Sequence, residues 1–246
     1  MIPGPALARV LARVLARVCA QVCVPVCSVL LLLGTTPAPA ADVVAAPGRL
    51  SDSDFYRLVS CAAPPGGACA RPMLRWRSES PIRVALRRID PGYLGRPKQR
   101  AEAALTQALR ELNATGARFH LARVGPADRA EITVFFLDLD PGVSISGTGI
   151  DWVDGAQIDE IATLIAVDPD RTRILGASIV VAAGLETKAF EAAMLKALTR
   201  AMGLTTEVAG TAYQGISPLA HDSYAAIRLG PQDLTALRQH YAAPLR

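Results

Sequence analysis

The sequence predicts an α+β fold: a mixed β-sheet of about four to five strands packed by two long helices, with short helices at the N- and C-terminal ends. Three observations predict it. Short apolar stretches bounded by Gly, Pro and Asp recur between residues 82 and 182. Two longer segments, Pro97–Leu112 and Glu186–Met202, place apolar residues at helical spacing. The order is strand, helix, several strands, helix, and no internal repeat occurs outside the first forty residues.

The N-terminus reads as an export signal. Leu-Ala-Arg-Val occurs three times, from Leu7, Leu11 and Leu15, and brings Arg9, Arg13 and Arg17 before a 16-residue apolar run, Val18 to Leu33. Ala38-Pro39-Ala40 follows. A basic region, an apolar region and a small-x-small site make up a secretory signal. The run is shorter than the roughly 20 apolar residues of a membrane span, and it contains Gln21 and Pro25. Residues 1–40 are therefore expected to be a signal peptide cut after Ala40 or Ala41, giving a periplasmic or secreted protein. A retained N-terminal membrane anchor is the alternative. Without the signal's three arginines the chain has 23 Lys+Arg against 22 Asp+Glu, so its basic character belongs mostly to the signal. No clustered basic surface points to a nucleic-acid partner, and no stable membrane insertion is expected after cleavage.

Residues 41–49 are Ala, Val, Pro and Gly-rich and are expected to be a flexible leader before a single domain, 50–246. Ser51 is an expected N-cap, with Asp54 three residues on, for a helix entering at Phe55. Cys61 and Cys69 flank a Pro/Gly loop. In an oxidising compartment an even pair is most simply a disulfide; a metal pair needs two further ligands, and a redox pair prefers Cys-x-x-Cys. Strands are expected at Ile82–Arg87, Arg118–Val124, Glu131–Leu137, Ile161–Val167 and Ile174–Ala182, and a turn-rich loop over Asp138–Gly149. Pro231 opens the expected terminal helix, which runs to Tyr241.

Within Glu186–Met202, Phe190, Met194, Leu198 and Ala201 form an apolar stripe. Lys196 and Arg200 lie on the opposite face, one turn apart, and Gly203 closes the helix. This layout resembles the zinc-binding helix of the zincin metalloproteases, especially the metzincins, H-E-x-x-H-x-x-G. In that pattern Lys196 and Arg200 take the two His positions, Ala197 takes the Glu position and Gly203 keeps the glycine. Protonated Lys and Arg offer no lone pair to Zn²⁺, and Ala197 accepts no proton. The other reading of this segment is an ordinary amphipathic helix with a solvated Lys/Arg face.

Leu50–Val59 with the Cys61–Cys69 loop, Leu195–Leu204 and Gln232–Tyr241 resemble the exported bacterial proteins grouped as domain of unknown function family 2927, itself similar to zincins in its helix pattern. The resemblance covers about residues 50–242. Members often carry two Glu and a Gln at the positions of Lys196, Ala197 and Arg200, and Ala197 departs from them by lacking a carboxylate. It implies a zincin-like core and a degenerate centre, with no catalytic residue, cofactor or metal expected. A cleft lined by Lys196, Arg200, Tyr213 and His221, with Asp222 beside it, is expected to take a peptide or envelope partner, an acidic one being favoured. The alternatives are a peptidase-like hydrolase with a non-standard site, metal-dependent or not, and a structural envelope protein.

Other patterns carry less. His120 and His240 are expected to be structural. Ser144–Gly149 lacks the Gly-Lys-Ser/Thr of a phosphate loop and reads as a hairpin or substrate-edge loop. Asn113-Ala114-Thr115 fits a glycosylation sequon at a helix end.

Overall fold

The computed structural model describes residues 43–77 and 80–242. The expected signal, its cleavage site and Cys19, Cys23 and Cys27 lie outside the described residues.

Among the described residues the strands and α-helices follow in the order β1 Val43–Ala45, α1 Asp52–Cys61, β2 Ile82–Ile89, α2 Arg96–Asn113, β3 Leu121–Val124, β4 Ile132–Phe136, β5 Val143–Ser144, β6 Gln157–Ile158, β7 Ile161–Val167, β8 Ile174–Val181, α3 Phe190–Ala201, β9 Glu207–Ala209 and α4 Pro231–His240. The main sheet has five strands in the order β3-β2-β4-β8-β7. All neighbours pair in parallel except β7, which returns antiparallel to β8. The mixed α+β architecture is that expected from the sequence.

Position in the sheet follows composition. Ile132-Thr133-Val134-Phe135-Phe136 is buried throughout and forms the central strand, as a strand covered on both faces must be. One face packs on α2 and α3: Val84, Ile132, Val134, Phe136 and Ile179 meet Leu105, Leu112, Met194 and Leu198 in the main core. The opposite face carries a second, smaller core, where Phe135, Leu137, Leu164 and Val180 pack on Ile145, Val153 and Ile158 of the β5–β6 segment. The loop expected over Asp138–Gly149 thus contains β5, which pairs antiparallel with β6.

Local chemistry sets the ends. The Ser51 hydroxyl accepts the Asp54 amide at 3.1 Å and caps α1 as expected. Asp168 accepts the amides of Thr172 and Arg173 at 2.9 and 3.0 Å, and this tight turn reverses the chain between β7 and β8. Asn113 binds both backbone groups of Leu121, at 2.9 and 2.8 Å. It ties the end of α2 to β3, and the strand starts at Leu121 rather than Arg118. The same carboxamide is the acceptor of the sequon, whose Thr115 is buried.

Cys61 and Cys69 form a disulfide, with Cα atoms 5.1 Å apart. The leader differs from expectation: Val43–Ala45 is not loose chain but pairs in parallel, in register, with Glu207–Ala209. Its Val-Val-Ala sequence suits a strand, and only the distant β9 supplies the partner. Among the described residues no helix is long and apolar enough to cross a membrane.

Candidate functional site

The site grows from the C-terminal half of α3. Its middle residues, Ala192 to Thr199, are all buried, including Lys196 at 5% exposure. The solvated Lys/Arg face allowed by the sequence is therefore absent, because the segment following α3 folds back over it. Gly203 makes this return possible. It sits at φ 94°, and a Cβ there would lie 2.0 Å from the Leu74 carbonyl oxygen. The last helical carbonyls are closed by distant side chains: Trp76 Nε1 donates to Ala201 O at 2.9 Å and Tyr241 Oη to Met202 O at 2.7 Å.

Beyond the turn, β9 is held between β1 and the Leu219–His221 segment. Val208 N donates to Leu219 O and His221 N to Val208 O, at 2.9 and 3.0 Å. This pairing brings Glu207 under α3. Its Oε2 lies 3.0 Å from Lys196 Nζ and 3.0 Å from His221 Nδ1, and its Oε1 lies 3.8 Å from an Arg200 Nη. Lys196 Nζ also donates to Ala220 O at 3.0 Å and stands 5.4 Å from the centre of the Tyr224 ring. His221 Nε2 lies 3.1 Å from Asp222 Oδ2. Both neighbours of this imidazole are carboxylate acceptors.

Burial pushes the Lys196 ammonium below its usual pKa, and Glu207 opposes that shift. Burial also raises Tyr224 to about 12, assisted by Glu160. Lys196 and Arg200 face Glu207, with Asp222 acting on Lys196 from the rim. Two cations, Lys196 and Arg200, are set against two carboxylates, Glu207 and Asp222.

The remaining predicted residues are divided. His221 and Asp222 join Lys196 and Arg200. Tyr213 contacts α1 and the residue before its N-cap instead: it is 3% exposed, stacks on Phe55 at 5.3 Å and accepts the Leu50 amide at 2.9 Å. Ala197 is part of the main core. His240 is fully buried, its Nε2 donating to Leu74 O at 2.7 Å, and His120 is exposed before β3. Sequence reading missed Glu207, the acceptor on which the cluster converges. Nothing in Glu-Val-Ala marks a buried carboxylate; its only signal is an acidic residue soon after a helix that carries two cations one turn apart.

Chemically the arrangement is a buried ion-pair network. No general base faces it at position 197. Among the described residues no group of three or more His, Cys, Asp or Glu is placed to hold a metal ion. No protein-family model matches the chain, and no curated protein matches it.

Proposed function

We propose that the chain is an exported, non-catalytic domain with a zincin-like core, and that it binds an extended partner segment along β7. The observation that carries this reading is the Lys196–Glu207 pair. A buried ammonium, held by a carboxylate, a carbonyl and an aromatic face, occupies the helix position where a zincin would place its first metal ligand. The sheet order, with one antiparallel edge strand next to the helix layer, is consistent with the same core.

The edge favours a binding role. Among the described residues β7 pairs only with β8, and its sequence, Ile-Ala-Thr-Leu-Ile-Ala-Val, contains none of the charges or prolines that normally blunt an edge. Ala182 N donates to Glu160 O. By antiparallel alternation, Ala162, Leu164 and Ala166 then exchange hydrogen bonds with β8, while Ile161, Thr163 and Ile165 direct their backbone groups outward. An added strand would use those groups. Export is supported by the N-terminal pattern and by the Cys61–Cys69 disulfide.

Reversing the charges at Lys196 and Arg200 would test folding rather than binding, since Lys196 is buried. The test is Thr163→Pro, which removes an outward N–H and leaves the β8 ladder intact. Linear peptides selected from a random displayed library should protect the amides of Ile161, Thr163 and Ile165 from exchange. They should bind the natively melting variant at least about tenfold more weakly. Peptides that map elsewhere, or bind the variant equally, overturn the edge assignment. Stoichiometric zinc after dialysis against a chelator overturns the non-catalytic reading, and an uncut Met1 on protein from whole cells overturns signal cleavage.

A further inference from the structure

A groove of about 620 Å³ lies on the sheet face opposite the helices, and it owes nothing to the Lys196 network. Its floor includes Thr133 and Phe135 of β4 and Gly176 of β8; Arg87, Arg88 and Trp152 also line it. The size is within the ordinary range of small-ligand sites.

Two features are built. Consecutive residues of a regular strand point to opposite faces, yet Arg87 and Arg88 both line the groove. The register of β2 against β4 shifts between Leu86 and Arg88, and this bulge re-aims the side chains. Arg88 is fixed by Asp90 at 2.7 Å and by donation to Gly147 O at 2.6 Å. Among the described residues Arg87 donates one hydrogen bond, to Pro126 O at 2.6 Å, through one of its five N–H groups.

The second feature is the opposite rim. Asp154 accepts the Thr148 amide at 3.0 Å, the Thr148 hydroxyl at 2.7 Å and the Gly149 amide at 3.3 Å. These bonds hold Gly147 and Gly149 at positive φ. The same loop buries Val153 completely while leaving Trp152 42% exposed, its ring within reach of Gly176. Trp76, the other tryptophan, is 7% exposed. A fixed loop that buries its valine and presents its indole makes an aromatic platform.

We propose that this groove binds an acidic sugar, a pyranose carrying a carboxylate. The C–H face of the ring would lie on Trp152 and the carboxylate would meet the Arg87 fork. The hydroxyls would donate to the Thr148 and Gly149 carbonyl oxygens, since Asp154 takes up the amides of both residues. Charge complementarity selects the anionic form: the other charges at the groove, Glu131 and Arg88, are neutralised by Arg83 and Asp90.

The probe is trigalacturonate, titrated against the full chain at low salt and followed by tryptophan emission and calorimetry. Saturable binding with a change in emission is expected. Trp152→Ala and Arg87→Gln, both at exposed or half-exposed positions, should each weaken it at least about tenfold while melting like the parent. Neutral chitotriose should bind about tenfold more weakly than the uronate. Absence of saturable uronate binding, or equal binding by both variants, overturns the site. Equal binding of chitotriose overturns the role of Arg87. Tighter binding of a tri-glutamate peptide makes the occupant an acidic peptide and overturns the sugar assignment.

Discussion

Lys196 and Glu207 form a buried ion pair, Nζ to Oε2 3.0 Å, with side chains 6% and 9% exposed. Two charges withdrawn from water at this depth are tolerated only because each has further partners: Ala220 O for the ammonium, His221 and Arg200 for the carboxylate.

Breaking one side of that pair should cost more than neutralising both. Glu207→Gln leaves Lys196 buried against a neutral amide, and a loss of about 3–5 kcal/mol is expected. Adding Lys196→Met should restore about 1–3 kcal/mol of it. Urea midpoints of the two single variants and the double variant complete the cycle. A double variant whose loss equals the sum of the two single losses would mean that the pair carries no coupling.

Gly203→Ala should be among the most damaging single-methyl additions. The positive φ strains any L side chain, and the added carbon would collide with the Leu74 carbonyl. A loss above about 3 kcal/mol is expected, with weakened docking of the Leu74–Trp76 segment over the end of α3. Emission from Trp76, whose indole is bonded to Ala201 O, should move to longer wavelength.

Two buried groups give stability opposite dependences on pH. Burial lowers His240 from 6.5 to about 4, with Arg75 adding to the effect and the bond to Leu74 opposing it. The unfolded chain then binds more protons between those values, so this contribution is lost as pH falls from about 6.5 to 4. Burial raises Asp233 to about 7, against the Ser217 hydroxyl and Gly230 amide that favour its carboxylate. Here the folded chain binds more protons, and stability is lost as pH rises from about 4 to 7. The effects amount to roughly 3 kcal/mol for His240 and roughly 4 kcal/mol for Asp233 over their windows. Urea midpoints from pH 4 to 8 should show His240→Gln flattening the acid-side loss and Asp233→Asn flattening the neutral-side loss. A profile unchanged in either variant would refute the assignment for that residue.

Replacing Cys61 and Cys69 by Ser should lower stability by about 2–3 kcal/mol, the chain-entropy value for so short a loop. A reducing agent should destabilise the parent by a similar amount and leave the double variant unchanged. A thermal melt in both conditions distinguishes this from damage by the serines.

The sequence by itself determined most of the regular elements. Apolar runs between turn residues located β4, β7 and β8; helical spacing located α2 and α3; Ser51 marked the start of α1. These signals are local, because a strand or helix declares its period within its own length. The Cys61–Cys69 pairing was legible for the same reason, its partners being only eight positions apart in sequence.

Only the tertiary structure decided what Lys196 and Arg200 face. A helical projection shows two cations on one side of α3 but not what covers that side. Glu207, Ala220 and Tyr224 arrive there through the Gly203 turn and the pairing of β9 with β1, contacts between residues far apart in the chain. The bulge that turns Arg87 and Arg88 onto one face is set by register against β4. Periodicity within one segment cannot encode it, since register is a relation between two strands.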